Sequence, residues 1–244
     1  MIRVRAVGPA LAPVVATLLF ALTLAPGCAR AQVPTRPTAP ATPAAADTPL
    51  EPGGGELLPA GFGSLNQNDV AVRLRTPDLE VRIVLLDEGL LRLLAPDSYA
   101  ALHQTAASRR AAIDSVGRQR GVSVPGLALV GFYGLRQGVQ FDPQLVTITA
   151  RGRILRPIGI VPLGAAFNTQ QLDLRGQAMA IYVFEETIPV TEPLGFAYGV
   201  ARNDDWARRL PVLERERQRV LARARAAGAA PAEPTAEHPD STRR

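Results

Sequence analysis

Leu127-Ala-Leu-Val-Gly-Phe-Tyr133 is apolar on both of its faces, the pattern of a strand covered on two sides and therefore central in its sheet. The next stretch, Leu145-Val-Thr-Ile-Thr-Ala150, alternates instead, with Val146, Ile148 and Ala150 on one face and Leu145, Thr147 and Thr149 on the other, as a half-buried strand does. Arg151-Gly152 follows as a two-residue turn, and Ile154, Arg156, Ile158 and Ile160 resume the alternation, so a hairpin is expected here. Pro157 interrupts the second arm and cannot donate to a ladder, which assigns that arm to a sheet edge or to a bulge. A second Arg-Gly pair, Arg175-Gly176, separates Gln171-Leu-Asp-Leu174 from Met179-Ala-Ile-Tyr-Val-Phe184 and predicts another hairpin. Leu194, Phe196, Tyr198 and Val200 alternate with Gly195, Ala197 and Gly199. One face of that strand is large and the other almost bare, so something should approach the bare face closely.

Upstream, Val70-Ala-Val-Arg-Leu74 and Leu79-Glu-Val-Arg-Ile-Val-Leu-Leu86 read as a strand pair joined through Thr76-Pro77-Asp78. Arg73, Glu80 and Arg82 fall on the outer face, where opposite charges can pair across strands. From Asp97 the period changes to that of a helix, capped by Asp97 or Ser98 after Pro96, with Tyr99, Leu102, Ala106, Ile113 and Val116 as its apolar stripe and Gly117 or Gly121 as its end. A last helix is expected from Pro211 to Ala227, with Leu213, Arg217, Val220, Leu221 and Ala224 on one face, Arg217 within reach of Glu214, and Asp204-Asp205-Trp206 in a separate turn.

These patterns give an α+β, β-rich fold: an antiparallel sandwich or partly open barrel with one packed helix and a C-terminal helix. An immunoglobulin-like sandwich is one form of it, but would carry the helix from Asp97 as an insertion.

The ends of the chain read differently. Arg3 and Arg5 precede an uncharged run that is strongly apolar from Leu11 to Leu24, the pattern of a secretory signal peptide over residues 1–31. Ala29-Arg30-Ala31 fits cleavage before Gln32. Leu24-Ala25-Pro26-Gly27-Cys28 resembles a bacterial lipobox, with Ala25 where such sequences usually place Leu; that resemblance implies cleavage before Cys28 and its lipidation. Both sites stand at this stage. Residues 32–61 form a Pro/Gly-rich linker expected to be disordered, with Pro34, Pro37, Pro40 and Pro43 at the three-residue period of polyproline II, and residues 228–244 form an Ala/Pro/Glu-rich tail expected to be disordered. One domain over residues 62–227 remains.

Composition narrows the chemistry. Cys28 is the only cysteine, so no internal disulfide forms and no cysteine-rich metal site exists. The formal charge of +5 falls to +2 when residues 1–31 are removed with Arg3, Arg5 and Arg30, and gives no support to nucleic-acid binding. The chain holds no lysine, which excludes Schiff-base chemistry and a lysine base. Of the two histidines, His238 lies in the tail and His103 in the predicted helix without evident partners. Gly61-Phe-Gly-Ser64 matches neither a phosphate loop nor a nucleophile elbow. The adjacent acids Asp87-Glu88, Glu185-Glu186 and Asp204-Asp205 sit at element ends, where solvated turn residues are the ordinary reading and a carboxylate-dependent hydrolase the less ordinary one.

The functional expectation is an exported protein of a bacterial envelope, periplasmic or outer-membrane-associated, with a non-enzymatic binding or accessory role towards another envelope protein and a membrane tether if Cys28 is lipidated. No cofactor, metal or catalytic residue is assigned. A small-ligand-binding barrel and a carboxylate-dependent hydrolase are the alternatives. Tyr182, Phe184 and the outer-face arginines Arg215, Arg219 and Arg223, spaced four apart, are the candidate interface residues.

Overall fold

The computed structural model describes residues 58–229. The expected signal segment, Cys28, most of the expected linker and most of the expected tail lie outside the described residues. Two antiparallel sheets carry the domain. The larger has the strand order β1 (Val72–Arg75), β2 (Leu79–Leu85), β3 (Gly126–Gly134), β9 (Gln177–Phe184) and β7 (Pro157–Pro162). The smaller runs β11 (Ala201–Asn203), β10 (Leu194–Tyr198), β5 (Val146–Ala150) and β6 (Arg153–Leu155), and β4 (Val139–Gln140) pairs with β8 (Gln171–Leu172) in a third, two-stranded sheet.

β3 is central, as its two apolar faces require. On one face Val81, Ile83 and Leu85 stand in register with Phe132, Val130 and Ala128, which in turn oppose Ala178, Ala180 and Tyr182; all are buried. Phe132 stacks on Phe141 at 4.4 Å and meets Tyr198 of β10 edge-on at 5.8 Å, so a ring contact joins the two sheets. Such pairs add about 0.5–1.5 kcal/mol beyond the area they bury. Tyr198 and Ile148 thus fill the space between the sheets from the other side, and the sheets do not close into a barrel.

The expected hairpin after Ala150 forms only in its first turns. Arg151 and Gly152 both take positive φ, 52° and 74°, matching the twist of the flanking strands. The second arm then divides. β6 stays with β5, whereas from Pro157 the chain crosses to the larger sheet as β7, at its edge and with a register shift between Pro157 and Gly159. Proline lacks the donor that a continuous ladder would need, and both the edge and the bulge are present at once. The opposite corner is tied by Asn203 Nδ2 donating to the Arg73 carbonyl at 3.2 Å.

Further expectations are corrected. Gln171–Leu174 and Met179–Phe184 are not hairpin partners: β8 pairs with β4, and the Arg175–Gly176 turn caps the end of β3 instead. There Arg175 N–H donates to the Gly134 carbonyl and Gly134 N–H to that of Gly176. The approach is close enough that a Cβ on Gly134 would lie 2.4 Å from the Asp173 carbonyl oxygen. The helix expected from Asp97 is two, α3 (Pro96–Ser108) and α4 (Arg110–Arg120), with Ala95 rather than Asp97 or Ser98 at the N-cap and Gly121 in the left-handed region at the end. Thr105 and Ser108 hydroxyls bond back to the Ala101 and Thr105 carbonyls, a local competition that bends helices, and the backbone leaves helical geometry at Arg109. α4 then lays Val116 over Gly159 of β7, where a Cβ would be only 2.4 Å from Val116 Cγ1.

The last helix, α6 (Trp206–Ala229), starts five residues before Pro211 and runs through it. Trp206 is fully buried against Phe196, its ring 5.8 Å away, and its Nε1 donates to the Val190 carbonyl at 2.9 Å. That anchoring holds the first turn against the one backbone bond that proline removes. The bare face of β10 is approached as expected, by Asp204 Oδ1, which a Cβ on Gly195 would meet at 2.6 Å. Val70 ends a short helix, α1 (Gln67–Val70), instead of starting β1. Gly63 lets the chain pass the Leu93 carbonyl, since a Cβ there would lie 2.3 Å from it.

Candidate functional site

At the end of β2 the chain turns into the one-turn helix α2 (Glu88–Leu91), with Asp87 as N-cap accepting from Leu90 N–H at 3.0 Å. The turn puts the first acid pair into the protein, not into solvent. Burial raises the Asp87 carboxyl above its ordinary value and the Glu88 charge adds to this, while the Leu90 and Gly89 N–H groups and the Arg217 charge act the other way. Glu88 is 3 % exposed. Its Oε1 accepts from Arg92 Nε at 2.6 Å and from the Tyr99 hydroxyl at 2.9 Å, and Arg92 also reaches the Leu58 carbonyl at 2.6 Å. A small cavity of about 60 Å³ opens beside this corner, with Asp87, Glu88, Asp114, Ser123 and Thr187 in its wall.

A second, larger space adjoins α2. Leu90, Leu93, Val190, Leu210 and Leu213 line an apolar groove of about 350 Å³, with Glu214 and Arg217 at its rim, 3.6 Å apart. Val190, part of this wall, has its carbonyl held by Trp206, so the groove is fixed to the core through the only tryptophan of the chain. Its size and lining match those of ordinary ligand clefts, which are mostly apolar with a few polar groups at the edge.

The expected interface residues divide. Tyr182 and Phe184 are completely buried and belong to the core. Tyr182 donates its hydroxyl to the Pro143 carbonyl at 2.9 Å, and burial pushes its phenol well up from the ordinary value. Arg215 is exposed and bonds back to the Pro211 carbonyl. Arg219 is exposed as well and Arg223 is half-buried, and both also reach towards Glu216. Arg223 Nη1 donates to Glu216 at 2.8 Å and to the Phe62 carbonyl at 2.5 Å, and Arg219 lies 3.6 Å from the other Glu216 oxygen. Glu216, 1 % exposed, was not among the expected site residues. Its position three residues after Leu213 and four before Val220 puts it on the buried face of α6, a signal available from the helical period alone.

His103 stacks on Tyr99 at 5.4 Å. Of the other acid pairs, Glu186 lies 3.2 Å from Arg153 and Asp205 2.9 Å from Arg208, with Glu185 and Asp204 exposed. Among the described residues no three His, Cys, Asp or Glu side chains are grouped to hold a metal ion, and no helix is long and apolar enough to cross a membrane. No family model matches the sequence, and neither curated proteins nor solved structures give a significant match.

Proposed function

We propose that this is an exported bacterial envelope protein, periplasmic or outer-membrane-associated, whose ordered domain has a non-enzymatic binding or accessory role. The occupant of its groove is an apolar segment of another envelope protein. The groove beside α2 is the observation that carries this reading. Its wall is apolar, with half-buried Leu210 at the surface and Leu213 and Val190 just beneath it, and Glu214 and Arg217 at its rim give the approaching chain a fixed orientation. A photo-crosslinking residue at Leu210, used in intact envelopes, should trap a partner peptide that mass spectrometry identifies as apolar. Leu210→Glu should abolish capture by a second crosslinker at Thr191, and Val200→Glu, at a side chain 95 % exposed and outside the groove lining, should leave it intact. Crosslinks only to polar, scattered peptides would overturn the reading.

Export and tethering are tested by intact mass. A mature chain beginning at a diacylated Cys28 supports a membrane-held protein, and one beginning at Gln32 a free one; a chain retaining Met1 would overturn cleavage, and its recovery from the cytoplasm would overturn export. The second reading, a carboxylate-dependent hydrolase, is favoured by Asp87 alone, a carboxyl raised by burial beside a buried neighbour and a cavity. Turnover of glycoside substrates by the wild type and not by Asp87→Asn would establish it.

A further inference from the structure

On the face of the larger sheet turned away from the smaller one, the strand register sets like charges together. Arg73 of β1 stands directly opposite Arg82 of β2, and Arg82 opposite Gly131 of β3. Like charges so placed destabilise a sheet. The neighbouring side chains offset this only in part. Glu80 accepts from Arg82 Nε at 2.6 Å, and Arg73 Nη2 donates to Asn68 Oδ1 at 3.1 Å. The two Nη groups of Arg82 have no hydrogen-bond partner among the described residues.

Gly131 makes room beside this guanidinium. The Tyr133 ring folds back over the glycine, where a Cβ would meet its Cε2 at 3.0 Å, and the Arg82 guanidinium carbon lies 4.6 Å from the ring centre. That stacking and the Glu80 bond hold the fork in place before anything binds. A pocket of about 140 Å³ opens here, with Arg82, Tyr133, Gln67 and Asn68 as its polar groups and Val84, Leu129 and Met179 as its apolar floor. No acid lines it. One water needs about 10–15 Å³ of such space, so the pocket admits a ligand of up to about ten non-hydrogen atoms. The acid of α1, Asp69, is turned to the Asn66 N–H at 2.8 Å.

We propose that this pocket binds a carboxylate, held by the Nη edge of Arg82 and completed by the Asn68 or Gln67 amide and the Tyr133 hydroxyl, with a short alkyl substituent on the floor. The paired N–H groups of a guanidinium match the two oxygens of a carboxylate, and such charge-assisted pairs are among the stronger hydrogen bonds available. Glu80 balances one arginine and Arg73 leaves the face positive, so an anion relieves what the register imposes. The carboxylate is carried by a free short-chain acid or by the C-terminus of a partner chain. This site is separate from the apolar groove, and its success or failure does not bear on the groove.

The full chain is titrated with sodium butyrate, with acetyl-Ala-Ala bearing a free carboxyl terminus, with butyramide and with sodium phosphate, all at one ionic strength, following calorimetric heat and melting temperature. Expected is a saturable response to one or both carboxylates and none to butyramide, which has the same shape without the charge. Response to butyrate assigns the carboxylate to a free short-chain acid, and response to the peptide alone assigns it to a partner's C-terminus. Arg82→Gln should weaken binding about tenfold or more, and Arg82→Lys, which keeps the charge but not the fork, about fivefold or more. The lysine variant alone decides if the glutamine variant does not fold. Arg202→Gln, exposed and outside the lining, should change binding less than about twofold. No saturable response to either carboxylate, an equal response to butyramide, phosphate bound as tightly, full binding by the Arg82 variants, or equal weakening by Arg202→Gln would overturn the proposal.

Discussion

Ser64 donates both its backbone N–H, at 3.0 Å, and its hydroxyl, at 2.7 Å, to Oε1 of Glu216, joining points of the chain 152 residues apart. Arg223 donates to the same oxygen and to the Phe62 carbonyl, so the entry of the chain into the domain is clasped to α6 by a single buried carboxylate. Removing the cation should hurt more than neutralising the acid. Arg223→Met leaves Glu216 charged and buried, with only the more distant Arg219 nearby, at about 2–3 kcal/mol; Glu216→Gln leaves a partly exposed guanidinium and a neutral acceptor, at about 1 kcal/mol. Because the two share one interaction, the double variant should lose less than the sum by at least about 0.5 kcal/mol. Urea midpoints of the four proteins measure this.

The same carboxylate sets an acid limit. Burial alone would raise it, but the Ser64 and Arg223 hydrogen bonds outweigh burial and hold it below the ordinary glutamate value of 4.5. A group with a depressed folded value stabilises above its unfolded value and loses that contribution as pH falls through the folded one. Wild type should therefore lose stability below pH about 4.5 more steeply than Glu216→Gln, as urea midpoints taken from pH 6 down to pH 2.5 would reveal.

Asp87 should show the opposite sign. Its carboxyl is raised above 3.8 by burial, so the folded state binds the proton more tightly than the unfolded one. The ionised form therefore opposes folding, an effect absent below pH about 3.8 and growing as pH rises through the folded value. Asn is also a good N-cap, so Asp87→Asn keeps the start of α2. The variant should gain stability relative to wild type between pH 3.5 and pH 7. A difference that is flat over that range would show that the acid is solvated after all.

How far the fold could be read depended on whether the deciding contact was local. β3 declared itself through two apolar faces, β10 through one bare face, and the edge position of β7 through Pro157. Turn chemistry was also local: Arg151-Gly152 turns as its sequence requires. Partner choice was not. Arg175-Gly176 has the same residues as Arg151-Gly152 yet closes on Gly134, because Gly134 leaves room for Asp173, a fact held 39 residues away in the chain. Pro211 misled for a similar reason, since the start of α6 is fixed by the burial of Trp206 against Phe196. In the candidate site only Leu213 carried a signal, as part of a helix face, because Leu90, Leu93, Val190 and Leu210 come together only in the fold; the Asp87-Glu88 pair read as surface because the sequence does not show Arg92 and Tyr99 converging on Glu88.

Pro211 offers a direct test of that account. If α6 is held by Trp206 and not begun by the proline, Pro211→Ala restores a backbone N–H that can bond to the Ala207 carbonyl and should stabilise the domain by about 1–3 kcal/mol. Trp206→Phe should do the reverse, losing buried area and leaving the Val190 carbonyl without its donor, at about 2–3 kcal/mol. Circular dichroism with urea denaturation measures both without relying on tryptophan emission. The two effects should not simply add in the double variant: with the anchor gone, the first turn of α6 frays, the bond regained at Ala207 is worth less, and Pro211→Ala should recover under half of its single-variant gain.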